Sequence, residues 1–302
     1  MSSEANWSLR LLGECGLSAA DGAPIPLSTR KSLAILAYLA RQPERRATRE
    51  RLAALLWEDA APTQARLNLR KALSSLRHET RLPNAPAAVL IEANNDAVWL
   101  TPGALASDAE TLEAALPALP DAAAVAELYV GDFLSDLVLR AAPAFEAWAQ
   151  IERQRLREMA IASLMAHMEQ AFQPGTSPEA GVVAAMRVLA LDPLQERAHR
   201  ALMRLYVRQG RPAAALKQFH TLSELLAREL HTTPEAESRD LFRAIANARH
   251  TRGQERAGSE HASAPPRPVQ AAPRGRTSIA AAAMFGLAAV VGGWAYLNRS
   301  PA

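Results

Sequence analysis

The sequence predicts a mainly α protein: a winged helix-turn-helix, then an all-α domain of tetratricopeptide-like helix pairs, then a C-terminal transmembrane helix. Three observations predict it. Leucine and alanine recur at helical spacing through most of the 302 residues. Asn94-Asn95-Asp96 sits between the apolar runs VLIEA and AVWLT, the pattern of a hairpin, and follows three short helical segments. From Thr277 to Asn298 there is no charge over 22 residues.

The apolar fraction of 49% is ample for packed cores, and abundant alanine with few aromatics favours helix over sheet. The lone Cys15 excludes an internal disulfide and reads as a packing residue. Net charge is only +3 but unevenly spread. Residues 28–81 carry twelve Lys/Arg against five Asp/Glu, residues 103–246 fourteen against nineteen, and residues 247–302 seven against two. A basic N-terminal segment of this kind suits a phosphate-rich partner.

Taken in order, Trp7 to Leu27 reads as strands around the Asp21-Gly22 turn. Ser28 or Thr29 can cap a helix whose Leu33, Leu36, Ala37 and Ala40 share one face, and Pro43 closes it. Thr48 can cap a second helix with Leu52, Leu55 and Leu56 inward and Trp57 at its end. Pro62 precedes a third, containing ARLNLRKALSSLRHE, before the hairpin. Strands, three helices and a hairpin make a winged helix over residues 1–102. The hairpin turn is expected to use the tolerance of asparagine for positive φ.

Residues 103–246 read as a helical domain. Tyr206, Ala215 and Phe219 have the spacing of a tetratricopeptide helix pair, with Gly210 at the turn. Residues 247–276, rich in Pro, Gly, Ser and charge, read as a disordered linker. The apolar run at 277–298 is long enough, at ~33 Å, to cross a ~30 Å hydrocarbon core. Trp294 and Tyr296 lie near one end, and Arg267, Arg274 and Arg276 precede it, against Arg299 alone behind. That imbalance places the N-terminal domains in the cytoplasm, with the chain held by a single pass through the inner (cytoplasmic) membrane. The N-terminal MSSEANWSLR shows no signal-peptide pattern.

The third helix of the winged domain carries the functional argument. At 100° per residue, Ala65, Leu69, Ala72, Leu73 and Leu76 share one face. Lys71, Ser74, Ser75 and His78 lie opposite, Arg70 and Arg77 on a flank, and Leu67 also points outward. The outward face has one acid, Glu79, at its very end. A solvated helix mixes acids with its cations at i,i+4; a row of donors without acids suits a polyanion. In a major groove, Arg and Lys reach phosphates or guanine edges, and Ser reaches either. The preceding helix, with Arg45, Arg46, Arg49 and Arg51 nearby, would cross the DNA backbone, its N-terminal amides favouring phosphate.

No metal-ligand spacing occurs among the histidines and Cys15, nor a nucleophile elbow or phosphate loop, so no catalytic residue, metal or cofactor is expected. Asp132 and Glu152 read as ion-pair or capping residues.

The chain resembles the Streptomyces antibiotic regulatory protein (SARP) family, an OmpR/PhoB-type winged helix joined to a bacterial transcriptional activator domain (BTAD). The resemblance rests on RERLAALLW, ARLNLRKALSSLR and the hairpin, and on LYVGDFLSDL, FEAWAQIERQRLREMA and the run from LALDPLQERAHR to ESRDLF. It implies sequence-specific binding of double-stranded DNA, with Asn68, Arg70, Lys71, Ser74, Ser75 and Arg77 facing the groove. It also implies a homodimer on repeated half-sites, contact with RNA polymerase, and transcriptional activation. The chain departs from the family in Ala97-Val98-Trp99-Leu100, where Gly-Tyr-Arg-Leu is usual, and in His231, where glycine is usual. The membrane run is likewise outside the usual short member. A competing expectation is a membrane-anchored, tetratricopeptide-like adaptor without DNA binding.

Overall fold

The computed structural model describes residues 5–118 and 121–262. The winged portion opens with three strands, β1 (Trp7–Arg10), β2 (Gly16–Ala19) and β3 (Pro24–Ile25). Helix α1 (Arg30–Ala40) follows, capped by Thr29, whose hydroxyl accepts from the Ser32 amide. Then come β4 (Arg46–Thr48), α2 (Arg49–Leu56), α3 (Pro62–Glu79), the hairpin β5 (Ile91–Ala93) and β6 (Ala97–Leu100), and β7 (Leu105–Ser107). Two small sheets result. One runs β3-β2-β1-β7, with β7 parallel to β1; the other runs β4-β6-β5, all antiparallel.

The strands expected at Trp7–Leu27, the three helices and the hairpin are all present, and Thr48 caps α2 as its sequence position suggests. The hairpin turn is built differently from expectation. None of Asn94, Asn95 and Asp96 has positive φ. Instead the Asn94 side-chain oxygen accepts from the amides of Asp96 and Ala97, at 2.9 and 2.8 Å, so side-chain hydrogen bonding shapes the turn.

The helical portion comprises α4 (Asp108–Ala115), α5 (Ala122–Leu128), α6 (Pro143–Gln170), α7 (Pro178–Leu191), α8 (Glu196–Arg208), α9 (Pro212–Glu229) and α10 (Ala236–Ala262). The α8–α9 pair turns at Gly210, with φ +72°, as its spacing predicts. Ala215 is fully buried in the seam, and Phe219 stacks on Phe242 of α10 at 4.4 Å. The turn before α10 does place His231 in the left-handed region, at φ +54°.

Two boundaries differ from the sequence reading. A division after residue 102 falls before β7, which pairs with β1. Residues 1–254 are one compact unit, and a continuous buried cluster runs from Trp7 to Leu202. The linker expected from 247 is helical as far as Ala262: Ala248, Arg249, Gln254, Glu255 and Ala257 are good helix formers, and Gly253 and Gly258, at ~1 kcal/mol each, do not stop them. The rest of that linker and the membrane run at 277–298 lie outside the described residues. Among the described residues no helix is long and apolar enough to cross a membrane.

The joint between the two portions explains a third surprise. Helix α1 was expected to be amphipathic, yet every residue from Ala34 to Ala40 is buried. A helix apolar all round needs cover on every side, and α6 supplies it: the Tyr38 ring meets Trp148 edge-on. Arg41, at the end of α1, forks onto Glu113 at 2.7 and 2.8 Å and reaches Glu152 at 3.2 Å, while Arg155 closes the cluster. Asp132 pairs with Arg157 and accepts from Tyr129, so both singled-out acids serve ion pairs.

The LYVGDFLSDL motif is not helical past Leu128; it crosses the segment just beyond β1, where an isolated bridge joins Phe133 to Leu12. Leu134 donates to the Leu11 carbonyl and Gly13 to that of Asp132, at 2.8 and 3.1 Å. A Cβ on Gly131 would come within 2.9 Å of the Gly13 backbone, which is why that crossing needs glycine. Cys15 packs half-buried beside it; burial, then Asp136, push its thiol pKa up, away from the reactive thiolate.

Candidate nucleic-acid interface

Pro62, at the first turn, starts α3 where its missing N–H costs nothing. Ala65, Leu69, Leu73 and Leu76 are then buried against the core. That fixes the rotation of the helix and so the fate of every other side chain. Lys71, Ser74 and His78 are exposed on the opposite face together with Leu67, at 41%. Arg66, Arg70, Arg77 and, just past the cap, Arg81 form one stripe on the flank toward the hairpin. Asn68 and Ser75 fall on the far flank, half-buried, with Asn68 accepting from Gln64 at 2.8 Å.

The stripe forms one wall of an open trough. The N-terminus of α2 and the hairpin tip form the other. One section, of about 560 Å3, is bounded by Arg49, Arg66, Arg70 and Asn95, with Glu50 and Asp96 at its acidic end. The next, of about 460 Å3, is bounded by Arg49, Arg70, Ser74, Arg77, His78 and Arg81. Arg49 links the two. Its guanidinium donates to the Asn94 carbonyl at 2.7 Å, so the hairpin tip holds it in place.

The electrostatics separate this surface from the joint between the winged and helical portions. Arg41, Arg45, Arg155 and Arg157 are each paired with a carboxylate at the joint. Among the described residues, Arg49, Arg66, Arg70, Lys71, Arg77 and Arg81 make no ion pair. Six unpaired cations on one side of a small domain are an unfavourable arrangement for the protein alone. They are a favourable one against a polyanion, where each contact releases condensed counterions.

The structure brings together Arg49, Arg70, Ser74 and Arg77 of the residues expected from sequence, with Lys71 adjacent on the exposed face. Asn68 and Ser75 stand apart on the far flank. Arg51 turns the other way, its Nε donating to the Tyr38 hydroxyl at 3.3 Å. The phosphate site expected at the α2 N-terminus is largely occupied. The Arg49 amide donates to the Asp96 carbonyl and the Arg51 amide to the Thr48 hydroxyl. Trp57 is half-buried against the core under the Lys31 ammonium, as a packing residue should be.

Sequence reasoning missed Arg66 and Arg81. Their signal was available: positions 66, 70, 77 and 81 are spaced by four, seven and four, a single helical stripe. Of the two arginines expected just ahead of α2, Arg45 is instead paired with Glu110, while the Arg46 guanidinium lies 5.4 Å from the Trp99 ring on the neighbouring strand. An exposed arginine therefore stands beside the hairpin strand that lacks one in its own sequence.

Comparison with known proteins agrees with this architecture. Residues 100–246 match the family model of the bacterial transcriptional activator domain. Regulatory protein AfsR of Streptomyces coelicolor is 29% identical over 242 residues, which are 76% of this chain and 23% of that one. This chain thus spans under a quarter of that relative. The solved structure of Mycobacterium tuberculosis EmbR, in complex with a low affinity phosphopeptide, shares the fold. Its TM-score is 0.60 at 22% identity, over 81% of this chain and 66% of that one. Residues 100–246 are a bacterial transcriptional activator domain, and with the winged helix ahead of it the chain has the domain pairing of a SARP-like regulator.

Proposed function

We propose that the protein is a membrane-tethered, sequence-specific regulator of transcription. It binds double-stranded DNA through α3 and acts as an activator through contact with RNA polymerase. The observation that carries the reading is the trough of unpaired guanidinium groups, set against the fully paired arginines of the joint. Arg70 and Arg77 would meet phosphates or guanine edges, Lys71 and Ser74 the groove floor, and Arg49 a flanking phosphate. The rigid joint would let the helical domain report on, or be moved by, the state of the DNA-binding half.

The tether rests on the uncharged run at 277–298, and the arginines before it support a cytoplasmic side for the described domains. Ala289 with Gly293, and Ala288 with Gly292, have the four-residue spacing at which membrane helices pack closely, a route to the homodimer.

Genome-wide crosslinking of the intact protein tests the reading, beside a variant with Arg70, Lys71 and Arg77 all changed to Ala. The expected result is discrete sites that disappear in the variant. No sites in either protein, with both folded and membrane-bound, would instead favour an adaptor that no longer binds DNA.

A further inference from the structure

A second concavity, of about 490 Å3, lies at the C-terminal end of α3, and its chemistry differs from that of the trough. Leu82, Pro83, Pro86 and Val89 are among its apolar walls, and its only charged lining residues are Arg77 and Arg81. No acid lines it. The size lies in the ~300–1,000 Å3 range of small-molecule sites. The walls are preshaped: two prolines fix φ along the loop, and a backbone bridge joins Leu82 to Ala85. Val89, at 48% exposure, is among the most exposed large apolar side chains of the winged portion.

The two arginines are held without being satisfied. Arg77 Nε donates to the Ile91 carbonyl at 3.4 Å, which ties the side chain to this rim. Its terminal nitrogens, and the whole Arg81 guanidinium, have no side-chain or backbone acceptor among the described residues. Both side chains also line the trough. One pair of cations therefore serves an apolar cavity on one side and the proposed DNA surface on the other.

We propose that this cavity binds a small amphipathic carboxylate, and that the bound ligand competes with DNA for Arg77 and Arg81. The apolar body would cover Leu82, Pro83 and Val89, and the carboxylate would take the guanidinium donors in charge-assisted hydrogen bonds. By linkage, DNA would weaken the ligand by the same factor as the ligand weakens DNA. The competition rests on the DNA reading of α3; the binding does not.

The test is equilibrium dialysis of labelled decanoate, below its micellar range, against the full-length protein without DNA. Saturable binding is expected, with a dissociation constant on the order of 1 mM. Decanol, with the same chain and no charge, should bind at least about tenfold more weakly. Val89→Asp should weaken decanoate at least about tenfold by setting a like charge in the wall. Pro86→Asp, at a second exposed wall position, is the control should Val89→Asp lower the unfolding temperature. Decanoate should then reduce the DNA affinity of the unaltered protein and have less effect on the variant. Absent saturation, equal binding of decanol, or indifference to both variants would overturn the site. Binding as described with no effect on bound DNA would overturn the competition alone. A protein that bound decanoate but no DNA would count against the DNA reading and leave the site standing.

Discussion

The Tyr38 ring of α1 and the Trp148 ring of α6 meet edge to face, with centroids 4.9 Å apart. One belongs to the winged portion and the other to the activator domain. Phe133 and Phe145 pack on the same tryptophan, at 5.8 and 5.3 Å. The two portions should therefore unfold together. Trp148→Ala is expected to cost about 3 kcal/mol by leaving a cavity under three rings. Denaturant unfolding followed by far-UV circular dichroism should show one transition in the parent, shifted to lower denaturant in the variant. Two separate transitions in the parent would contradict a shared core.

The charged cluster beside that contact gives the joint a pH dependence. Burial raises the Glu113 pKa, but the hydrogen bonds and charges of Arg41 and Arg155 outweigh it and hold the group below its ordinary 4.5. A depressed carboxylate stabilises the fold fully above its unfolded pKa, and the gain disappears as pH falls through the folded value. Glu113→Gln should cost ~1–3 kcal/mol at pH 7, since Arg41 is only 7% exposed and keeps Glu152. The gap between parent and variant should shrink as the pH is lowered below about 4.5. Urea midpoints measured from pH 7 down to 3 would check both statements.

His231 offers a stabilising change. Its left-handed backbone, at φ +54°, is costly for any residue with a Cβ, and its side chain is exposed. His231→Gly should add about 1 kcal/mol and raise the melting temperature. A lowered melting temperature would mean that the histidine side chain makes a contact worth more than the strain.

The trough separates arginines that sequence position alone makes equivalent. Arg66→Ala should weaken DNA binding and reduce the slope of log K against log salt by ~0.9 for one lost phosphate. Arg51→Ala, whose guanidinium turns to Tyr38, should leave that slope unchanged. Anisotropy titrations at four salt concentrations distinguish the two.

What the sequence made legible was local. The helices followed from apolar spacing, the caps from Thr29 and Thr48, the hairpin from its asparagines, and the rotation of α3 from its leucines. What it hid depends on partners far away in the chain. The three-residue β4 is too short and polar to show alternation, and exists because Arg46 to Thr48 pair with Trp99 to Ala97. Strand β7 is defined by β1, about a hundred residues earlier. The all-round burial of α1 depends on α6. The same limit governed the site. Arg70 and Arg77 were visible on the wheel, but that their flank faces the hairpin, and that Arg51 does not, depends on how α2 and the hairpin tip meet. Arg81 needed only a wider window along α3, and Arg66 already lay inside it, one turn before Arg70.

In the proposed function, the unpaired guanidinium stripe of α3 holds DNA. The most direct measurement is the salt dependence of binding to a duplex carrying a crosslinked site, for the protein and for Arg70→Ala/Arg77→Ala. A steep slope is expected in the parent, with a slope shallower by ~1.8 in the variant and loss of preference for the site over an unrelated duplex. Equal affinity, slope and preference in the two proteins would contradict it.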